Sequence, residues 1–232
     1  MKRYRGILFD KDGTLFDFAT TWESWAASFL SRLSGGDVSG AVAMGQAIDF
    51  DLHSRTFAPG SIVIAGTPQQ VAQALLPFRP DMDETALLAL LNEEAALAPQ
   101  KPAVPLAPLL TGLRDRGMAL GVATNDAEAP ARAHLEAAEA AGFFDFVAGS
   151  DSGFGGKPAP GQLLAFAETA GLNPADVLMV GDSLHDLHAA QAAGMTAIGV
   201  LTGYATQAQL APHAAAVLPD IGHLPGWLDA QV

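Results

Sequence analysis

The first apolar run, Gly6-Ile7-Leu8-Phe9, is unbroken and ends at Asp10. A short continuous run fits a strand buried on both faces of a parallel sheet. Lys11-Asp12-Gly13-Thr14 then reads as a turn. Beyond it the period changes. Trp22, Trp25, Ala26, Phe29, Leu30 and Leu33 recur at helical spacing, which predicts a helix with one apolar face. Thr20-x-x-Glu23 reads as its capping box and Gly35-Gly36 as its stop. A second helix is expected over 37–50. Thr67-Pro68 predicts an N-cap with proline in the first turn, opening a helix that runs to Leu76. Asp81-x-x-Glu84 predicts one more helix start, with Leu87, Leu88, Leu91 and Leu97 behind it.

Pro99, Pro102, Pro105 and Pro108 have the composition of a stiff linker. After them the pattern alternates. Helices are expected over 109–116, 128–141, 161–170 and up to Ala193, and strands over 118–123, 144–148, 177–180 and 195–200. Most of the helices are closed by glycine. An edge strand is expected near 215–218. This alternation predicts a parallel sheet with helices on both faces. The expected fold is therefore α/β, a Rossmann-like doubly wound parallel sheet with an inserted all-helical cap. The core takes 1–16 and 99–232, and the cap takes 17–98.

Composition narrows the function. Lys and Arg number 12 against 25 Asp and Glu, a net charge of −13. That balance argues against nucleic-acid binding, which needs a basic stripe, and against a peripheral membrane role. No cysteine is present, which removes thiol nucleophiles, disulfides and Cys-based metal sites. Residues 1–9 hold too short an apolar stretch for a signal peptide, and no run approaches a membrane span. A soluble, cytoplasmic protein is expected, its partner a small metabolite; the oligomeric state is not readable.

Polar residues gather where apolar strands end: Asp10 and Asp12, Thr124 and Asn125, Asp182 and Asp186. Lys157 lies in a glycine-rich loop, Gly153-Phe154-Gly155-Gly156-Lys157-Pro158. Ligands of open α/β sheets bind outside the carboxyl ends of the strands. Convergence of these sets at one sheet edge suggests metal-assisted phosphoryl transfer. Carboxylates brought together need a cation, and an oxygen-only donor set suits Mg2+.

Asp10-Lys11-Asp12-Gly13-Thr14-Leu15 resembles the first motif of the haloacid dehalogenase-like hydrolases. Thr124-Asn125 resembles the second, Lys157 in Gly156-Lys157-Pro158 the third, and Gly181-Asp182-Ser183-x-x-Asp186 the fourth. They stand in family order across almost the whole chain, and the helical insertion resembles the family's smaller cap. The nearest group in pattern is that of phosphoglycolate phosphatases. The resemblance implies Asp10 as nucleophile, forming an aspartyl-phosphate, and Asp12 as general acid and then base. It implies Mg2+ held by the Asp10 carboxylate, the Asp12 main-chain carbonyl and Asp182, with Asp186 as ligand or support. Gly13, Thr124, Asn125 and Lys157 would bind phosphate. A Mg2+-dependent phosphatase of a small, phosphoglycolate-like monoester is the expected function. A sugar phosphomutase and a catalytically idle phosphate-binding module are the alternatives. Two positions depart from the family pattern: Lys11 stands where an apolar residue is usual, and Gly161 where an acidic one is.

Other readings compete at single positions. Lys157 does not belong to a nucleotide P-loop, because Asp151 replaces the first glycine and Pro158 the Ser/Thr. His185 and His188 are expected as exposed histidines at a helix start, and Trp22 and Trp25 as core. His53 and Arg55 could meet a second anionic group of a substrate, although a solvated loop is favoured. Asp151 and Ser152 are expected to cap a loop, and Lys11 to snorkel beside the sheet edge.

Overall fold

The computed structural model describes residues 4–231. Residues 1–3, part of the segment read as too short for a signal peptide, lie outside that range. The chain opens with β1 (Gly6–Phe9) and passes to α1 (Phe18–Leu33) and α2 (Val38–Ala47). A small hairpin of β2 (Phe50–Asp51) and β3 (Thr56–Phe57) precedes α3 (Ile62–Ala65), α4 (Pro68–Leu75) and α5 (Glu84–Ala96). Helix and strand then alternate through α6 (Leu106–Asp115), β4 (Ala119–Ala123), α7 (Glu128–Ala137), β5 (Phe146–Ala148), α8 (Gly161–Thr169) and β6 (Val177–Gly181). The chain ends with α9 (Leu184–Ala193), β7 (Thr196–Val200), α10 (Gln207–Leu210), β8 (Ala216–Leu218) and α11 (Leu224–Asp229).

The main sheet has the order β5-β4-β1-β6-β7-β8, and every pairing in it is parallel. Winding runs outward from β1 in both directions, so the crevice of a doubly wound sheet opens where β1 meets β6. Ile7 and Phe9 pack on one face of the sheet with Leu120, Val122, Leu178 and Val180. Leu8 points to the other face and packs with Met179, Leu163 and Phe166. Burial on both faces is the reason the β1 run does not alternate. Residues of α1, α2, α4 and α5 close around a separate apolar core containing Trp22, Trp25, Phe29, Leu75, Leu87 and Leu91. The segments that cross between the two cores run side by side: Asp17 N donates to Lys101 O at 2.8 Å, and Ala103 N to Leu15 O at 2.9 Å.

Several boundaries differ from expectation for local reasons. Asp17, not Thr20, caps α1; its carboxylate accepts from Thr20 N at 2.8 Å. Asp83, not Asp81, caps α5, while Asp81 pairs with Arg79 at 2.6 Å. Leu97, the C-cap of that helix, is exposed. Pro108 belongs to the first turn of α6, where a missing N–H costs nothing, so the helix starts earlier than the proline spacing suggests. The second helix stops at Ala47, and β2–β3 adds a strand pair to the helical insertion. Gly161 is glycine because a Cβ there would collide with the Phe154 carbonyl.

Candidate active site

The register aligns Phe9 with Val122 on one side and Val180 on the other. The residues that follow each of them therefore emerge together at one edge of the sheet. Asp10, Asp182 and Asp186 each bring a carboxylate oxygen within 4.8 Å of the others, and all three are buried. Lys157 reaches the cluster from the loop after β5. Its Nζ donates to Asp10 Oδ1 and Asp186 Oδ1, both at 2.6 Å. Asp186 serves twice. Its Oδ2 accepts from Ser183 N at 3.0 Å and Ser183 Oγ at 2.7 Å, closing the first turn of α9. The helix-capping reading of this motif and the chemical one thus fall on different oxygens of one carboxylate, and Ser183, not Asp182, occupies the N-cap.

Burial raises the Asp10 carboxyl to about 7; the Asp186 and Asp12 charges add to the rise and Lys157 opposes it. Asp182 is raised well above the carboxylate range, first by burial and then by Asp10 and Asp186. Burial works to lower Lys157, but the charges of Asp10 and Asp186 outweigh it and hold the ammonium above its ordinary value. Three buried carboxylates face one ammonium, a deficit of positive charge that a cation would fill. The donors are all hard oxygens, as Mg2+ prefers. Space around them is kept by glycine: a Cβ on Gly13, whose φ is +79°, would lie 2.6 Å from the Asp182 carboxylate. A Cβ on Gly203 would overlap the same group. The residues present therefore fit the ion. Gly203 carries no motif, and only its folded position after β7 brings it to the site.

Asp12 stands outside this carboxylate cluster. Lys11, expected to snorkel, is instead fully buried and holds Asp12 from behind. Lys11 Nζ lies 2.9 Å from Asp12 Oδ1, 2.8 Å from Asp12 Oδ2 and 3.2 Å from Asp126 Oδ2. The Trp22 ring centroid is 5.4 Å from the same nitrogen. His134 Nδ1, at 2.9 Å, completes the shell. An ammonium can only donate, so Nδ1 accepts and the ring proton sits on Nε2, which donates to Ala95 O at 2.7 Å. Burial, and then Lys11, lower His134 to about 4. Burial raises Asp126 to about 6, against the pull of Lys11. This network joins the turn after β1 to the last turn of α5. Asp126 and His134 are absent from the motif reading; the adjacency of Asp126 to Thr124-Asn125 is the one signal in the sequence.

Thr124 is buried, and its Oγ1 accepts from Asp126 N at 3.1 Å. The Asn125 amide is fully committed. Its Nδ2 donates to Ala65 O at 2.7 Å and Lys157 O at 2.9 Å, and its Oδ1 accepts from Lys157 N at 2.7 Å. Asn125 thus fixes the Lys157 loop and the α3 end rather than offering its side chain to a ligand. Asp151 and Ser152 cap as expected, on Glu128 N and Gly149 N.

The cavity above the carboxylates is lined on its far side by Phe18, Trp22, Trp25, Val63, Val71 and Leu91. Trp22 and Trp25 are core, as expected, and also form this wall. His185, expected to be exposed, is half-buried and lines the cavity; burial lowers its pKa. His188 packs edge-to-face on His213 at 4.9 Å. His53 and Arg55 are exposed on the β2–β3 turn and do not line the cavity.

A model of the haloacid dehalogenase-like hydrolase family matches residues 4–194. The chain is 32% identical over 211 residues to a Dickeya dadantii protein described as probable phosphatase IndB, covering 88% of this chain and 84% of that one. It is 39% identical over 120 residues to the phosphoglycolate phosphatase of Rhodospirillum rubrum, covering 52% of this chain and about half (50%) of that one. The crystal structure of CbbY from Rhodobacter sphaeroides superposes with a TM-score of 0.71 at 20% identity, covering 97% and 99% of the two chains. At that identity the likeness speaks for the fold alone. Among the described residues, no helix is long and apolar enough to cross a membrane.

Proposed function

The chain belongs to the haloacid dehalogenase-like hydrolases and is a phosphatase, and from that premise we propose that it hydrolyses a small phosphate monoester through an aspartyl-phosphate on Asp10, in a Mg2+-dependent reaction. The carrying observation is the buried group of Asp10, Asp182 and Asp186 with Lys157 bonded into it, and with Asp12 two residues beyond Asp10. The intact set of nucleophile, acid and Lys157 also supports catalysis over an idle binding module. The cysteine-free composition supports a cytoplasmic setting.

Asp10 attacks phosphorus, and the bond from phosphorus to the leaving oxygen breaks. Asp12 gives its proton to that oxygen. In the second half Asp12 takes a proton from the attacking water, phosphate departs and the Asp10 carboxylate is restored. Lys157, already on Asp10, neutralises charge on the phosphoryl oxygens, and Thr124 Oγ1 with nearby main-chain N–H groups binds them. Asp10, Asp182 and the Asp12 carbonyl, with Asp186 as ligand or support, would hold Mg2+, which would supply the further positive charge this requires.

The test is phosphate release from a panel of esters with and without Mg2+, and 2-phosphoglycolate, named for the R. rubrum relative, belongs in that panel. Release that needs Mg2+ and falls by about a thousand-fold or more in Asp10→Asn supports the reading. Turnover unchanged in Asp10→Asn refutes it, and transfer to a second hydroxyl with little free phosphate marks a mutase.

A further inference from the structure

The wall facing the carboxylates decides what can leave with the ester oxygen. Phe18, Trp22, Trp25, Val63, Val71 and Leu91 contribute no charge to it. The neighbouring groove, of about 690 Å³, shares Ala65, Asn125, Lys157 and His185 with the cavity and adds Ser61, Thr67 and Gln70, which are polar but uncharged. Among the described residues the cations are all engaged or remote. Lys157 is held by Asp10 and Asp186, and Lys11 by Asp12 and Asp126. Arg32 pairs with Glu93 and Glu94, Arg79 with Asp81, and Arg55 stands exposed on the β2–β3 turn. A leaving group carrying a carboxylate would lose its water here and find no lysine or arginine that is not already engaged, while it would face Asp12 and Asp126.

We propose that the site selects phosphate monoesters whose leaving group is uncharged and presents an apolar face to Phe18, Trp22 and Trp25, in preference to esters of hydroxy acids. This rests on the phosphatase reading above and narrows its substrate. Apolar contact with the aromatic wall supplies the binding.

The decisive comparison is benzyl phosphate against 4-carboxybenzyl phosphate with Mg2+, with acetyl phosphate as a small activated control. The wild-type kcat/KM is expected to favour benzyl phosphate by about a hundred-fold, and Val63→Arg to narrow that ratio at least about tenfold by giving the carboxylate a partner. A wild-type ratio near one, or one favouring the carboxylated ester, overturns the proposal whatever the variant does. Hydrolysis of acetyl phosphate but of neither benzyl ester overturns it while leaving the phosphatase reading intact. Failure on all three compounds removes both.

Discussion

The side-chain amide of Asn125 donates to the main-chain carbonyl of Ala65 at 2.7 Å. One residue of the second motif is thereby tied directly to the helical insertion. Its remaining amide bonds hold both the N–H and the carbonyl of Lys157. Asn125→Ala is expected to cost about 1–3 kcal/mol of positioning, read as a fall in kcat/KM of about ten- to a hundred-fold with the fold retained. Steady-state kinetics beside circular dichroism check this.

Gly13 combines a positive φ with the close approach of Asp182. Gly13→Ala is expected to force Asp182 out of the carboxylate group and to add about 1–2 kcal/mol of backbone strain. Phosphatase activity should fall more than about tenfold, and Mg2+ titration by calorimetry should show weakened binding. Gly35→Ala is the control, since its φ is also positive and nothing lies within 4 Å of a Cβ there.

Asp10 is raised to about 7, and Asp182 is raised as well. Below pH 7 Asp10 holds a proton that an incoming cation must displace, and the raised Asp182 acts in the same direction. Mg2+ binding should therefore release protons at pH 6 and fewer at pH 8, and its affinity should fall as pH drops through 7. Calorimetry in two buffers of different ionisation enthalpy measures the release directly.

His134 is lowered from 6.5 to about 4. The unfolded chain takes up a proton below about 6.5, while the folded chain resists it until about 4. The stabilisation, about 3 kcal/mol, is thus fully present above 6.5 and lost as pH falls to 4. The Tm difference between wild type and His134→Gln should shrink across that window. Equal slopes of Tm against pH would contradict the buried neutral imidazole.

Lys11 supplies the positive charge that Asp126 and Asp12 face in this buried network. Lys11→Met is expected to destabilise the fold by about 3–5 kcal/mol, because it strands a buried carboxylate. Asp126→Asn in the Lys11→Met background should recover part of that loss, which chemical denaturation would measure.

The sheet was legible because its signal is local. Period, glycine stops and short apolar runs place β1, β4, β6 and β7 within a residue or two. Three of the motifs were legible because each sits where a strand ends, and a doubly wound sheet carries such ends to one edge; Lys157 was legible from its glycine-rich loop. Helix starts were less so: Asp17 and Asp83 compete with equally good capping residues nearby, and only the path of the backbone chooses between them. The sequence by itself determined the α/β core, the insertion and the carboxylate–lysine set, since spacing along a strand or helix fixes direction. Tertiary structure alone decided that Lys11 is buried between Asp12, Asp126 and His134, that Asn125 spends its amide on Ala65 and Lys157, and that Gly203 closes over Asp182. Those pairs are separated by up to 123 residues, as Lys11 and His134 are, and no period reports on contacts made across such distances. The uncharged wall facing the site follows from the same cause. Whether a tryptophan on an apolar stripe meets core or ligand depends on how the insertion sits above the sheet.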